Sequence, residues 1–474
     1  LSQQCYWQNY HTAQSRILIK EATLHTCLQI PNSDISQGGE MKNRNLRKVL
    51  AFSLGAALTA GMLSACSGSS NGSDGKGTVT WSTWGTPDEL KVFEQFNAEF
   101  EKRHPNIKIN FQPVASYSDY HSKLNTQLTS GTAPDVFYVG DDQIANLVAK
   151  GALEPIDSYI EGTDSPISLA DFSESIYQVA QLRGQTYGLP NDVNADAFWY
   201  DKQALATAGI TDDPAELAAN DSWTTERFFK MADALQSANM TGAAFWNYWS
   251  TTDSIIVSQG GKVYDETGQY AANTDSTSVK ALEQWAQRFA DGQFAVADTM
   301  PAGQDPDTLF AQHKLGFLVQ GRYTIASIEG AGNSTEDYDV VRWPTPDGKA
   351  APSGVASSFL AINKNAADKD AAFIFFSEFL SKDGQTLRLS NNGNALPSIA
   401  GIDEIVTSTN KPAHVGSLID MRDMGFSNFR IEAAVPGLSQ QISNDYMLPL
   451  YQGKGSAQET LDGIAKLVAQ ETSK

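Results

Sequence analysis

Apolar and polar positions alternate in two different periods along most of the chain. Val79-Thr80-Trp81-Ser82-Thr83-Trp84 reads as a strand, its first four positions alternating as a half-buried strand requires, and Gly85-Thr86-Pro87 breaks it. Pro87 suits the first turn of a helix, and Asp88 to Lys102 then places Leu90, Phe93, Phe96 and Phe100 at helical spacing. Residues 107–111 alternate again. Residues 120–128 read as a helix stopped at Gly131, and 135–139 as a short buried strand. Residues 142–150 read as a helix with Ile144, Leu147 and Val148 inward. This strand–helix order predicts a parallel sheet with helices on both faces. Further on, residues 223–235, 279–289, 371–380 and 463–470 carry helical patterns, and 315–320, 340–344 and 359–362 read as strands. Two α/β lobes suit this length better than one, because a single core stops growing at roughly 250–300 residues.

Upstream of residue 78 the pattern changes. Met41 to Lys48 is basic, and Val49 to Leu63 contains no charge. That run is short of the roughly 20 residues a membrane-spanning helix needs, and it fits the apolar core of a secretion signal. Leu63-Ser64-Ala65-Cys66 resembles a bacterial lipobox. The resemblance implies a signal peptide over 41–65 and a Cys66 thiol that receives a diacylglyceryl group. Residues 66–77 then form the lipidated end and a Gly/Ser tether. Residues 1–40 read as an upstream extension that is not native. Residues 1–65 hold six Lys/Arg and three Asp/Glu, so removing them deepens the formal charge from −21 to −24. Of three cysteines, Cys66 alone remains, which excludes a disulfide framework or a thiolate metal site in the body. The acidic balance argues against nucleic acid as a partner.

Several stretches, in order, resemble the sugar-binding class of extracellular solute-binding proteins of ATP-binding-cassette importers, the maltose-binding-protein-like family. They are Gly131-Thr132-Ala133-Pro134-Asp135-Val136, Gly151-Ala152-Leu153-Glu154-Pro155-Ile156-Asp157, and Tyr187-Gly188-Leu189-Pro190 followed by Phe198-Trp199-Tyr200-Asp201-Lys202. Residues 310–323, 363–380 and 453–467 continue the likeness. Trp199, His313 and Tyr323 depart from the usual aliphatic residue, Gly and Trp. The resemblance implies an α/β, two-lobed periplasmic-binding-protein-like fold with a hinge and a ligand cleft between the lobes. It places lobe one at 78–192 plus 341–398 and lobe two at 193–340 plus 399–474. It also implies a monomer that is no enzyme and uses no cofactor. Such a protein captures an extracellular carbohydrate, an oligosaccharide, by hinge closure. It delivers the sugar to the permease subunits of the importer from the outer face of the bacterial cytoplasmic membrane, anchored through Cys66.

A sugar presents weakly apolar C–H faces, which match aromatic rings, and hydroxyls, which need acids, amides or Arg. Ligands of open α/β sheets bind beyond the carboxyl ends of strands. Trp84, Tyr117, Asp141 and Asp142 follow the first three strands, with Trp81 the more natural core residue and either acid a possible helix cap. Asp192 and Asn194 lie in a polar crossing, against a reading as turn residues, and the family alignment favours Asn194. Trp246, Tyr248 and Trp249 form the densest aromatic cluster, of which a core would claim one or two. Arg322 and Tyr323 follow a buried strand, and the family's ligand aromatic falls at Tyr323. Ser357, Ser358, Asn392 and Asn394 are further donors, and Phe426 and Arg430 suit an additional subsite. Trp223 and Trp285 read as core. His104, His121, His313 and His414 are scattered without metal-ligand spacing, so no metal is expected. A peptide or polyamine binder on the same fold is the nearest rival, since the acidic charge suits a cation. A secreted hydrolase is more distant, because adjacent Asp141 and Asp142 cannot flank a glycosidic bond.

Overall fold

A computed structural model describes residues 77–473, except 86, 115, 116, 163, 164, 302, 391 and 392, and without the side chains of 87–89, 117 and 118. The signal, tether, Cys66 and Asn392 lie outside the described residues. The strands are β1 (Gly77–Ser82), β2 (Ile107–Phe111), β3 (Val136–Gly140), β4 (Gly188–Ala195), β5 (Ala197–Asp201), β6 (Thr241–Phe245), β7 (Phe294–Val296), β8 (Leu315–Gln320), β9 (Tyr338–Val341) and β10 (Val355–Ile362). Helices α1 (Pro87–Arg103), α2 (Tyr117–Ser130), α3 (Ile144–Ala149), α4 (Thr225–Ser237), α5 (Trp249–Ser258), α6 (Ser276–Ala290), α7 (Thr324–Gly330), α8 (Lys369–Leu380), α9 (Lys382–Leu389) and α10 (Ala457–Thr472) lie among and after them.

Among the described residues these strands form two five-stranded sheets, ordered β2-β1-β3-β10-β4 and β9-β5-β8-β6-β7. The pairings of β1 with β2 and β3 are parallel, as the strand–helix alternation predicts. β10 departs from it, running antiparallel to both β3 and β4. In the second sheet β5 is the antiparallel member, set between β8 and β9. The reason is shared. β4 and β9 leave their sheets at the carboxyl edge, and the strand that follows each crossing must enter the other sheet from its own carboxyl edge. It therefore runs against its neighbours. The crossings thus hold carboxyl edge to carboxyl edge, which is where open α/β sheets bind ligands.

Each sheet has its own apolar core. In the first, Trp81 stacks on Phe111 at 4.5 Å and packs against Phe93, Phe375 and Phe379 from α1 and α8. In the second, Trp223 and Trp285 are fully buried as predicted, Trp285 beside Phe228 of α4. Trp199 fills its core position and donates its indole N–H to the Gln320 carbonyl at 3.0 Å, which a smaller aliphatic residue could not do.

The strand at 315–320 matches its pattern, while 359–362 begins earlier, at Val355, and 340–344 is shifted to Tyr338–Val341. Residues 191–195 are strand rather than turn. Val193 and Ala195 are buried and alternate with half-buried Asp192 and Asn194, and the ladder with β10 runs on to Ala195. The backbone ladder of the first sheet thus runs through 193–195, while Val193 and Ala195 pack their side chains into the second core. A buried polar group joins Glu432 to the second lobe: Glu432 accepts from the Tyr264 hydroxyl at 2.8 Å and from Ser439 at 3.0 Å, with buried Asp253 of α5 beside it. Burial pushes both carboxyls up, and for Asp253 the Glu432 charge adds to it.

Candidate functional site

The carboxyl edge of the first sheet is rich in acceptors and hydroxyls. The register sets Gly140, Ser358 and Asp192 side by side on β3, β10 and β4. Asp141 and Asp142 follow directly. Neither caps α3, whose N-cap position is Gln143. Asp142 is half-buried and accepts from the Gln143 side chain at 3.0 Å. Asp141 is only 2% exposed. Its Oδ2 accepts the Ser357 amide at 2.8 Å, and its Oδ1 accepts the Tyr248 hydroxyl at 3.2 Å. Burial pushes the Asp141 carboxyl up to about 8, and the Asp142 charge adds to this; the Ser357 amide, Tyr248 hydroxyl and Trp249 indole act in the opposite sense. Ser357 is nearly buried, while Ser358 is half-buried and its carbonyl accepts the Asn191 side chain at 3.2 Å. Trp84, expected at the open end of β1, is buried at 6% exposure among Tyr120 and Tyr138 at 5.2 and 5.4 Å. Its bridge to Val114 extends the ladder past β1, so Trp84 joins Trp81 in the core. Tyr117 opens α2, but its side chain is outside the described set.

The second edge is aromatic. Trp246 follows β6 directly, and its indole donates to the Gln320 side chain at the end of β8 at 3.1 Å. Gln320 in turn donates to Asp307 at 3.1 Å, which fixes the ring's platform. Tyr248 occupies the N-cap position of α5, and half-buried Tyr323 that of α7. Trp249 is buried, with ring centroids 5.8 Å from Tyr248 and 6.3 Å from Phe426. Phe426 is held by backbone bonds to Ser353 and Val355 in the returning crossing. The cluster thus divides: Phe245 and Trp249 join the core, and Trp246 and Tyr248 stay half-exposed.

Arg322 departs from its expected use. Only 1% exposed, it donates Nη1 to the carbonyls of Leu389 and Ala395 at 3.3 and 3.0 Å, beside half-buried Asn394. Burial lowers its pKa to about 10. Its backbone amide donates to Asn194 Oδ1 at 3.1 Å, so both residues tie the lobes and crossing together. Gly321 permits that approach, since a Cβ there would lie 2.5 Å from Asn194 Oδ1. Arg430 is exposed at the head of a short helix, and among the described residues no hydrogen bond or ion pair joins its side chain to either edge.

The N-terminal half of α5 grips the opposite side. Besides Tyr248 on Asp141, the Ser250 hydroxyl donates to Asp196 in the first crossing, and Ser254 accepts the Gly354 amide at 2.7 Å in the second. A Cβ on Gly354 would lie 2.6 Å from that of Ser250. Asp196 is pushed up to about 7 by burial, opposed by the Ser250 hydroxyl. Gln320, Asp196, Ser250 and Ser254 escaped prediction. The one sequence signal was at Gln320, a polar end to an otherwise apolar strand. Among the described residues no group of three or more His, Cys, Asp or Glu could hold a metal.

The fold has many solved counterparts. A substrate-binding protein from Listeria monocytogenes, solved with cycloalternan, superposes with TM-score 0.70 over 84% of this chain and 99% of its own, at 20% identity. The cyclic α-maltosyl-1,6-maltose binding protein of Arthrobacter globiformis gives 0.69 over 84% and 99%, at 17% identity. In sequence, the diacetylchitobiose binding protein DasA of Streptomyces coelicolor is 25% identical over 355 residues, 71% of this chain and 79% of that protein. The maltodextrin-binding protein MdxE of Bacillus subtilis is 24% identical over 364 residues, 74% and 81%. Residues 84–386, more than half of the chain, match the family described as bacterial extracellular solute-binding protein, and the chain belongs to that family.

Proposed function

We propose that the chain captures an extracellular carbohydrate, an oligosaccharide, between its two lobes and passes it to the permease of an ATP-binding-cassette importer. The observation that carries this reading is the pairing of unlike edges. Half-buried Trp246, Tyr248 and Tyr323 line one carboxyl edge, and half-buried Asp142, Asp192 and Ser358 line the other. Rings suit the C–H faces of a sugar, and acids and hydroxyls suit its OH groups. The relatives named for diacetylchitobiose and maltodextrin support the same ligand class. A binding role without catalysis accords with the family. Phe426 and Asn394 stand nearby as secondary contacts. The lobe limits expected from the sequence, 78–192 plus 341–398 and 193–340 plus 399–474, stay part of this proposal. So does a lipid anchor at Cys66 that holds the body at the outer face of the membrane.

Titration of tryptophan fluorescence with panels of oligosaccharides, polyamines and peptides tests the reading. A saturable response to an oligosaccharide is expected, and a response confined to polyamines or peptides would overturn it. Membrane fractionation of Cys66→Ala tests the anchor: the variant is expected in the soluble fraction, and pelleting like the parent would remove the claim.

A further inference from the structure

We propose that Asp141 is a positioning residue that latches the lobes closed through Tyr248, and that it does not contact the ligand itself. The proposal rests on the solute-binding reading above and sharpens it. Asp141 follows β3 of the first sheet, whereas Tyr248 heads α5, which follows β6 of the second. Their hydrogen bond therefore crosses between the lobes. The second carboxyl oxygen is taken by the Ser357 amide from β10, so both oxygens have protein partners, and the side chain is 2% exposed. Little of the group is left for a sugar hydroxyl. Its neighbour Asp142 is half-buried. The two adjacent acids thus divide the work, one holding the lobes and the other offered to ligand.

The latch sits within a wider grip. The first two turns of α5 also reach Asp196 through Ser250 and the Gly354 amide through Ser254. Two of its three partners are therefore acids, buried Asp141 on a lobe edge and half-buried Asp196 on a crossing. The groups facing Asp141 are Asp142 on its own loop, the Tyr248 hydroxyl and Trp249 indole on α5, and the Ser357 amide on β10. The nearest charge is thus another anion. Opening the lobes would return Asp141 to water and to an ordinary acidity. Closing raises its proton affinity through burial and the Asp142 charge. The closed form accordingly binds more protons, and closure weakens as pH rises from about 4 to about 8. The slope is limited to about tenfold per pH unit for one proton.

Small-angle X-ray scattering of the unliganded full chain from pH 5 to pH 9 tests this directly. The radius of gyration of the parent is expected to increase with pH. Asp141→Asn cannot ionise; its single oxygen can accept the Ser357 amide while its NH2 donates to the Tyr248 oxygen, so it is expected to stay compact with a flat profile. Tyr248→Phe removes the latch donor and is expected to be more expanded than the parent at pH 5. A parental pH profile in Asp141→Asn, or parental dimensions in Tyr248→Phe, would overturn the proposal. Near-UV circular dichroism of both variants checks that the lobes remain folded. No ligand is added, so the outcome is independent of the sugar panel. Sugar binding with a parental profile in Asp141→Asn sinks the latch alone, and a working latch in a chain that binds no sugar sinks the carbohydrate reading alone.

Discussion

The two carboxyl edges that face one another are built from the same topology and opposite chemistry. Each sheet receives one antiparallel strand through a crossing, and each presents the loops after its parallel strands. Yet the first edge shows Asp142, Asp192 and Ser358, whereas the second shows Trp246, Tyr248 and Tyr323. On the proposed reading, the difference teaches that neither lobe would be a binding site by itself. Rings on one side can hold a sugar face only weakly in water, and acids on the other compete with water for every hydroxyl. Bringing the edges together excludes that water and makes both sets of contacts worth more.

The ring side is expected to carry the larger share of affinity. Trp246→Ala and Tyr323→Ala should each weaken oligosaccharide binding by about 2–4 kcal/mol, thirtyfold or more, in calorimetric titration. Parental affinity in both variants would remove the aromatic edge from the site. On the acid side, Asp142→Ala and Asp192→Ala should each cost about 1.5 kcal/mol, roughly tenfold, because each removes a charge-assisted hydrogen bond. If the acids prove more costly than the rings, the ligand is more cationic than a neutral sugar. The smallest effect on binding should come from Asp253→Asn, a buried acid of the second lobe beside Glu432. There the consequence falls on stability. Both carboxyls are pushed up by burial, so their stabilising contribution is present at low pH and lost as pH rises through their raised values. The parent's Tm should therefore fall as pH rises above the ordinary carboxylate range. Asp253→Asn should flatten that fall while leaving affinity within twofold. A large change in affinity would mean that protons in the lobe interior reach the cleft.

Much of this architecture was legible in the chain because burial imposes a period. The run at 315–320 is apolar enough to be a buried strand in any context, and the spacing of Phe93, Phe96 and Phe100 specifies one helix face. The two-lobed plan and the family were legible from collinear motifs. The direction of β10 was not, because it depends on which edge the returning chain enters, and periodicity carries no direction. At the proposed site, Asp142 was singled out by its place after a strand, Trp246 by the density of aromatic residues around it, and Tyr323 by the family resemblance. What the sequence could not divide was a polar side chain offered to a ligand from one spent on the other lobe. Arg322 and Asp141 look alike to Tyr323 and Asp142 in sequence terms, yet their partners lie far along the chain, at Leu389, Ala395 and Tyr248. Trp84 misled for a similar reason: the period-two pattern stops at Ser82, and an isolated bridge to Val114 decides where the ring goes.

Gly354 is where the second crossing lies flush against the first turn of α5, with no room for a side chain beside Ser250. A methyl group there would act as a doorstop. It would stand behind the jaws and not between them, leaving every surface offered to the ligand as it was. Grip strength could then be adjusted by a wedge at the back of the clamp, so that one lining serves both a tight scavenger and a quick-release courier.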